Sequence, residues 1–301
     1  MPGTYSEGGG GLRHEWDVER LWALAEALPV ITIPIEQITG VDKVTWFGPN
    51  HPPTVRSVAM HAKRIQEWDL SYPPILTEDW RVFDGMHRIA RMLLDGHETV
   101  RVKRFEVNPT PDRVIVSDDA AGASPLTIRR LAPEDSFEEM TALLHRAYAP
   151  LAAAGLKYWA THQTAADTRE RCEAGECWVG VMDGALMATV TLVAPGQGRG
   201  CPLYAEPTVS KFGQLAVDPA LKGRGFGNAL MDTIERRARE MGAATLALDT
   251  AEGARGLIAM YEARGYRKVG TVDWRPDTNY LSVLLSLELA REDTASSGVT
   301  S

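Results

Sequence analysis

Apolar residues along this chain change period at one place, between Val217 and Leu230. Before it, Leu215 and Val217 keep the two-residue spacing of a strand, with Phe212 out of step and Gly213 placed to mark a bulge. Asp218-Pro219 stops the strand, because proline cannot extend a central ladder. After it, Leu230, Ile234, Ala238 and Met241 share one helical face, with Arg236, Arg237 and Arg239 off it. Between them lies Lys222-Gly223-Arg224-Gly225-Phe226-Gly227, then Asn228. Strand, glycine-rich turn and helix in that order aim unpaired N–H groups and a positive helix end at one point, which suits a pyrophosphate.

The same reading divides the rest of the chain. Residues 1–14, with Gly8 to Gly11, read as a flexible tail. Trp16 to Leu28 has helical spacing, and Val30 to Ile38 reads as a strand that Pro34 keeps at an edge. A loop carries Trp46, Asn50 and His51; a helix over Thr54 to Asp69 turns Val55, Val58, Ala62, Ile65 and Trp68 inward. Short strands at Ile75 and at Trp80 to Phe83 lead to Asp84-Gly85-Met86-His87-Arg88, which opens a helix ended by Gly96; Thr99 to Val107 closes the region. Residues 108–125 are Pro-rich and polar, a linker. The second region runs strand (Leu126 to Leu131), helix (Ser136 to Ala149), helix (Ala165 to Glu173), and a hairpin, Glu176 to Met182 with Ala185 to Val193, about Asp183-Gly184. The glycine-rich turn follows, then a strand (Ala244 to Asp249), a helix (Ala254 to Ala263), two strands (Arg267 to Val272, Leu281 to Leu289) and a polar tail from 291 to 301.

At 301 residues, two domains are expected. A formal charge of −8 argues against bulk nucleic-acid or anionic-membrane binding. Cys172, Cys177 and Cys201 are too few and wrongly spaced for a zinc site or a disulfide framework. They fit a reducing compartment, and no membrane-length apolar run appears, so a cytoplasmic, metal-free protein is expected.

The Leu215-Ala216-Val217-Asp218-Pro219 strand end and the Gly225 and Gly227 pair resemble motif A of the GNAT acyl-CoA N-acyltransferases, with Lys222 where Gln or Arg is usual. Tyr261-Glu262 and Gly265-Tyr266 resemble that family's later Y-E-x-x-G-F signature, with Ala254 where an Asn is frequent. The resemblance implies an α/β (α+β) domain over 126–290 with a mixed, mostly antiparallel sheet. It also implies acetyl-CoA held by Leu215, Ala216, Val217 and the turn from Lys222 to Asn228, including Gly223, Arg224 and Phe226. Tyr261 would protonate the departing thiolate; a phenol, with pKa about 10, can donate at neutral pH. Tyr158, Trp159 and His162 would border a small-molecule amine. Glu206, Asp249 or His162 could serve as base.

The P-I-x-x-I opening at Pro34, Arg64-Ile65 and the Asp84 to Ala90 stretch resemble the ParB/sulfiredoxin-like fold over residues 15–107. This resemblance implies that Gly85, Met86, His87 and Arg88 meet a nucleotide phosphate, such as ATP, ADP or CTP with Mg²⁺, with Asp84 capping the helix. Met86 stands where sulfiredoxins need cysteine, and no helix-turn-helix follows, so neither sulfinic-acid repair nor DNA partitioning is expected. Some relatives phosphorylate small molecules with a glutamate near the first strand, which makes Glu36 the catalytic candidate. The expected function is N-acetylation of a small molecule by a protein that admits a homodimer. The alternatives are a nucleotide-dependent kinase or NTPase with an accessory acyltransferase, and an inactive CoA or nucleotide sensor.

Overall fold

A computed structural model describes residues 3–9, 11–48, 51–67, 69–117 and 124–289. Asn50, Trp68, residues 118–123 of the expected linker and the 291–301 tail lie outside them. The chain forms two compact units, Met1–Glu7 with Glu15–Pro111, and Gly8–His14 with Asp112–Ser301.

The stretch expected to be a tail contains strands β1 (Thr4–Gly9) and β2 (Leu12–Asp17). Tyr5 and Trp16 anchor them by packing against Phe83, at 5.0 and 5.2 Å between ring centroids. Trp16 therefore belongs to a strand rather than to the helix expected from it. That helix, α1 (Val18–Ala25), starts where the Asp17 carboxylate accepts from Glu19 N and Arg20 N. β3 (Val30–Pro34) is shorter than its apolar pattern suggested, because the chain turns into a 3₁₀ helix at Ile35–Gln37. α2 (Val55–Glu67) has no buried residue, so the inward face expected for Val55 and Val58 is exposed. β4 (Ile75–Leu76), β5 (Val82–Asp84), α3 (Met86–Leu94) and β6 (Thr99–Arg104) complete the unit, with sheet order β3-β6-β4-β5. Ile33, Ile35, Leu76, Ile89, Val100 and Val102 form its core.

In the second unit, β7 (Arg113–Val116) lies within the expected linker and pairs antiparallel with β8 (Leu126–Arg130). Val114 there is buried in the unit's main core, which explains why the stretch is ordered. α4 (Phe137–Ala153) runs past Pro150 by one turn; proline removes one N–H but need not end a helix whose other bonds persist. α5 (Ala165–Glu173) has a Thr164–Asp167 capping box. β9 (Glu176–Met182) and β10 (Ala185–Val193) form the hairpin, with Asp183 and Gly184 both at positive φ. Then come β11 (Val209–Val217), α6 (Phe226–Glu240), β12 (Thr245–Ala251), α7 (Arg255–Ala263), β13 (Arg267–Asp273) and β14 (Leu281–Glu288). From β8 the sheet order is β8-β9-β10-β11-β12-β14-β13. Each of these pairs is antiparallel except β11 with β12. Leu230, Ile234 and Ala238 of α6 pack with Val190, Phe212 and Leu246 of the sheet.

Candidate active site

The site is built on one parallel pair of strands that separates. β11 and β12 pair only at Val209, Ser210 and Lys211, opposite Thr245, Leu246 and Ala247. Beyond that, Phe212 to Val217 and Leu248 to Ala251 are not partners of each other. On its other side, β11 slips register against β10 between Thr189–Ala216 and Thr191–Gly213. The extra residue sits beside Gly213, as its glycine suggested. The residue in the left-handed region is Gln214, at φ 53°. A bulge frees ladder groups and re-aims the strand. This one is held by buried bonds: Gln214 Nε2 donates to Thr191 Oγ1 at 3.1 Å, and Gln163 Nε2 donates to Gln214 Oε1 at 3.0 Å.

Where the strands part there is a cavity of about 380 Å³. Leu215, Tyr158, Trp159 and Tyr261 line it, as does Asp249 among the base candidates. His162 and Glu206 are exposed and do not line it. Tyr261 is 6% exposed, and among the described residues its hydroxyl has no hydrogen-bond partner. Burial, and then the neighbouring Tyr148 and Tyr158, push its pKa far above the usual phenol range, so it keeps its proton at neutral pH. Tyr158 is engaged differently: its hydroxyl shares a hydrogen bond with Thr250 Oγ1 at 2.8 Å and accepts from Ala251 N at 3.1 Å. Asp249 accepts from the Tyr204 hydroxyl at 2.8 Å and from Trp274 Nε1 at 2.9 Å.

Several lining residues were missed by sequence reasoning. Tyr148, on α4, donates to Leu215 O at 3.1 Å and so occupies one lone pair of a carbonyl expected to face the cofactor. Tyr280, Arg171, Lys211 and Trp274 also line the cavity. They lie on α5, on β11 and in the loop between β13 and β14, with no shared motif; only a tyrosine inside an apolar helical stripe, as at Tyr148, hinted at a role.

Past Val217 the chain makes a 3₁₀ turn and reaches the glycines. Gly223 and Gly225 have φ of 83° and 80°, and Gly225 caps α6 without any side-chain cap. A Cβ on either would meet nothing within 4 Å, so the space over the turn is open. Phe226 is 1% exposed in the core, so of that residue only the backbone can face a ligand; Lys222 and Asn228 point to solvent. α6 has no acidic residue in its first turn, and its free N–H groups and positive end face this space. These features fit the pyrophosphate of acetyl-CoA. α7 begins after Ala254, again with no side-chain cap.

In the first unit, Gly85 caps α3 at φ 105°. The cap is therefore not Asp84, as expected, because the Asp84 carboxylate is taken by Arg88 Nη2 at 2.6 Å and Trp22 Nε1 at 3.0 Å. Arg88 is 5% exposed and folds back over Gly85, instead of reaching outward. His87 lies in a stack with Trp46 and His61, and its Nε2 is 2.9 Å from His61 Nδ1. Arg88 also borders a cavity of about 640 Å³ with Trp22, Tyr72 and Lys103. Lys103 is itself engaged, donating to Ala25 O and Glu26 O. Glu36 is exposed on the 3₁₀ turn and lines neither cavity. No group of three or more His, Cys, Asp or Glu residues placed to hold a metal occurs among the described residues.

A family model described as "Acetyltransferase (GNAT) family" matches residues 137–266. The S-(2-succino)cysteine N-acetyltransferase of Bacillus subtilis (strain 168) is 32% identical over 146 residues, 48% of this chain and 86% of that protein. This chain belongs to the GNAT acetyltransferase family. It is an acetyl-CoA-dependent acyltransferase. Among solved structures, the ribosomal-protein-S18-alanine N-acetyltransferase of Escherichia coli is 18% identical, with TM-score 0.42, over 56% of this chain and 97% of its own. A GNAT family acetyltransferase of Elizabethkingia anophelis with acetyl-CoA bound is 13% identical, with TM-score 0.38, over 54% and 97%. In the described part of the acetyltransferase no helix is long and apolar enough to cross a membrane.

Proposed function

We infer that this acetyltransferase transfers acetyl from acetyl-CoA to the amine of a small molecule. The observation that carries this reading is the tyrosine-walled cavity of about 380 Å³ at the splay of β11 and β12. Its size is that of a small-ligand pocket. The named acceptor of the Bacillus relative, a substituted cysteine, supports the same size class.

Acetyl-CoA supplies an acyl thioester whose sulfur leaves as a thiolate. The turn from Lys222 to Asn228 holds the pyrophosphate through main-chain N–H groups. Backbone groups released at the Gln214 bulge polarise the reacting carbonyl; one such donor is typically worth about 3 kcal/mol. Tyr261, protonated and without another hydrogen-bond partner among the described residues, donates to the leaving sulfur. Asp249, the base candidate that lines the cavity, receives the amine proton directly or through water. The kinase alternative draws no support from Arg88, whose guanidinium is held by Asp84.

Incubating the protein with acetyl-CoA and a metabolite pool tests the reading. The expected result is release of free thiol, together with an acetyl mass shift on small amines. Acetylation confined to peptides or protein termini would replace the small-molecule reading.

A further inference from the structure

We propose that the acceptor end of this cavity binds a carboxylate, so that the acetylated amine belongs to an amino acid or a similarly acidic small molecule. The proposal rests on the cavity being the acceptor site. Lys211 and Arg171 enter it from half-buried positions. Lys211 stands two residues before Gly213 on β11, and Arg171 Nη2 lies 3.8 Å from where a Cβ on Gly213 would be. A methyl at Gly213 would thus sit in ordinary contact with the guanidinium, which lies directly beside the bulged strand.

Neither cation has a carboxylate within 4.0 Å among the described residues. Arg171 donates to Gln163 Oε1, and the Lys211 ammonium faces the Tyr204 ring at 5.0 Å. Burial pushes both below their ordinary pKa; at Lys211 the Asp249 charge opposes that push, and the Arg171 charge adds to it to a smaller extent. The other charged groups lining the cavity are Asp249, Arg199 and Asp277. Arg199 and Asp277 are exposed and of opposite sign. Asp249 is a single carboxylate, already engaged by Tyr204 and Trp274. The inner wall thus carries two cations against one anion, a balance that an entering anion improves.

The phosphates of the cofactor are not that anion. Their turn lies past the far end of β11, and none of its residues lines the cavity. Arginine's planar fork takes a carboxylate through two N–H groups, and lysine adds a point charge. Lys211 pairs with Ala247, two residues before Asp249, so an α-amino acid held at Lys211 has a proton acceptor on the adjoining strand.

The test uses α-amino acids and their matching carboxamides as acceptors. The acids are expected to be preferred in kcat/KM, through KM, and Lys211→Met or Arg171→Met each to cut that preference about tenfold, the scale of one charged hydrogen bond. Calorimetry with acetyl-CoA on the same samples reports folding. Independently of turnover, succinate titrated into the CoA complex is expected to change the fluorescence of Trp159 and Trp274, and to bind about tenfold more weakly to Lys211→Met. Equal use of acids and amides, or a preference that survives both substitutions, overturns the carboxylate subsite and leaves acetyl transfer standing. Succinate binding lost in Lys211→Met supports the subsite even if no amine is acetylated, an outcome that removes the acceptor reading alone. Succinate that fails to bind, or binds the variant equally well, overturns it.

Discussion

Two helices of this protein begin in the same way and end in opposite situations. α3 and α6 each start at a glycine in the left-handed region, Gly85 and Gly225, and neither has a side-chain cap. Both therefore offer free N–H groups and a positive end. At Gly225 an added Cβ meets nothing within 4 Å. At Gly85 it would meet Arg88 Nη2 at 2.8 Å and Pro74 Cα at 2.9 Å. The first unit fills its helix end with its own ion pair, and the second leaves the space clear. The two cavities differ in the same sense. Arg88 pairs with Asp84 and Lys103 donates to main-chain carbonyls, whereas Lys211 and Arg171 have no carboxylate partner among the described residues. An anion-binding helix start is thus a local motif plus a vacancy, and only the motif is local.

Paired substitutions break this comparison most directly. Gly225→Val puts a β-branched residue at φ 80°, a region it rarely enters, and is expected to abolish acetyl-CoA binding while the first unit stays folded. Gly85→Val is expected to destabilise the first unit, through collision with Arg88 and Pro74, and to leave acetyl-CoA binding in place. Calorimetry and two-probe melting separate them; the same outcome for both substitutions would show that the two turns are not different in kind.

Next in size is the acid. Tyr261→Phe is expected to lower kcat about 10²-fold, the lower range for general acid catalysis, with acetyl-CoA affinity little changed. Tyr280 also lines the cavity, with a hydroxyl that lacks a hydrogen-bond partner among the described residues, so Tyr280→Phe is the control. A larger loss in Tyr280→Phe would transfer the role to Tyr280.

The plugged helix end predicts a stability effect. Asp84→Ala leaves Arg88 buried without its carboxylate and is expected to cost about 2 kcal/mol in the first unit, by urea unfolding. ATP, ADP and CTP are expected to show no calorimetric binding at about millimolar concentration. A tighter complex lost in Arg88→Ala would mean that phosphate displaces Asp84.

The smallest effect concerns the ring stack. Burial first, then His61 and Arg64, pull His87 from its ordinary 6.5 to about 4, with Asp84 opposing. His61 is lowered as well, by burial and then by Arg64. The unfolded chain therefore takes up a proton before the folded one does. The stability this contributes is complete above pH 6.5 and is lost as pH falls toward 4. Melting of the first unit at those two pH values is expected to differ by a few degrees, and His87→Phe to shrink the difference. A melting point independent of pH would remove the stack's role.

Period and punctuation in the sequence determined most of the second unit. The α5 boundaries, the hairpin turn at Asp183-Gly184, the end of β11 before Pro219 and the glycine turn are each fixed by residues within a few positions of one another. So was the GNAT resemblance, since its motifs are continuous in the chain. The tertiary structure decided everything that depends on distant partners. Trp16 is a strand residue because Tyr5 and Phe83 pack on it, and Gln214 holds a left-handed bulge because Gln163 and Thr191 bond to it. Tyr148, Arg171, Lys211 and Tyr280 become one wall because β11 and β12 part. Whether a helix start lies open, as at Gly225, or closed, as at Gly85, follows from what packs over it. Backbone conformation is set by neighbours in sequence, but vacancy and charge balance are sums over neighbours in space.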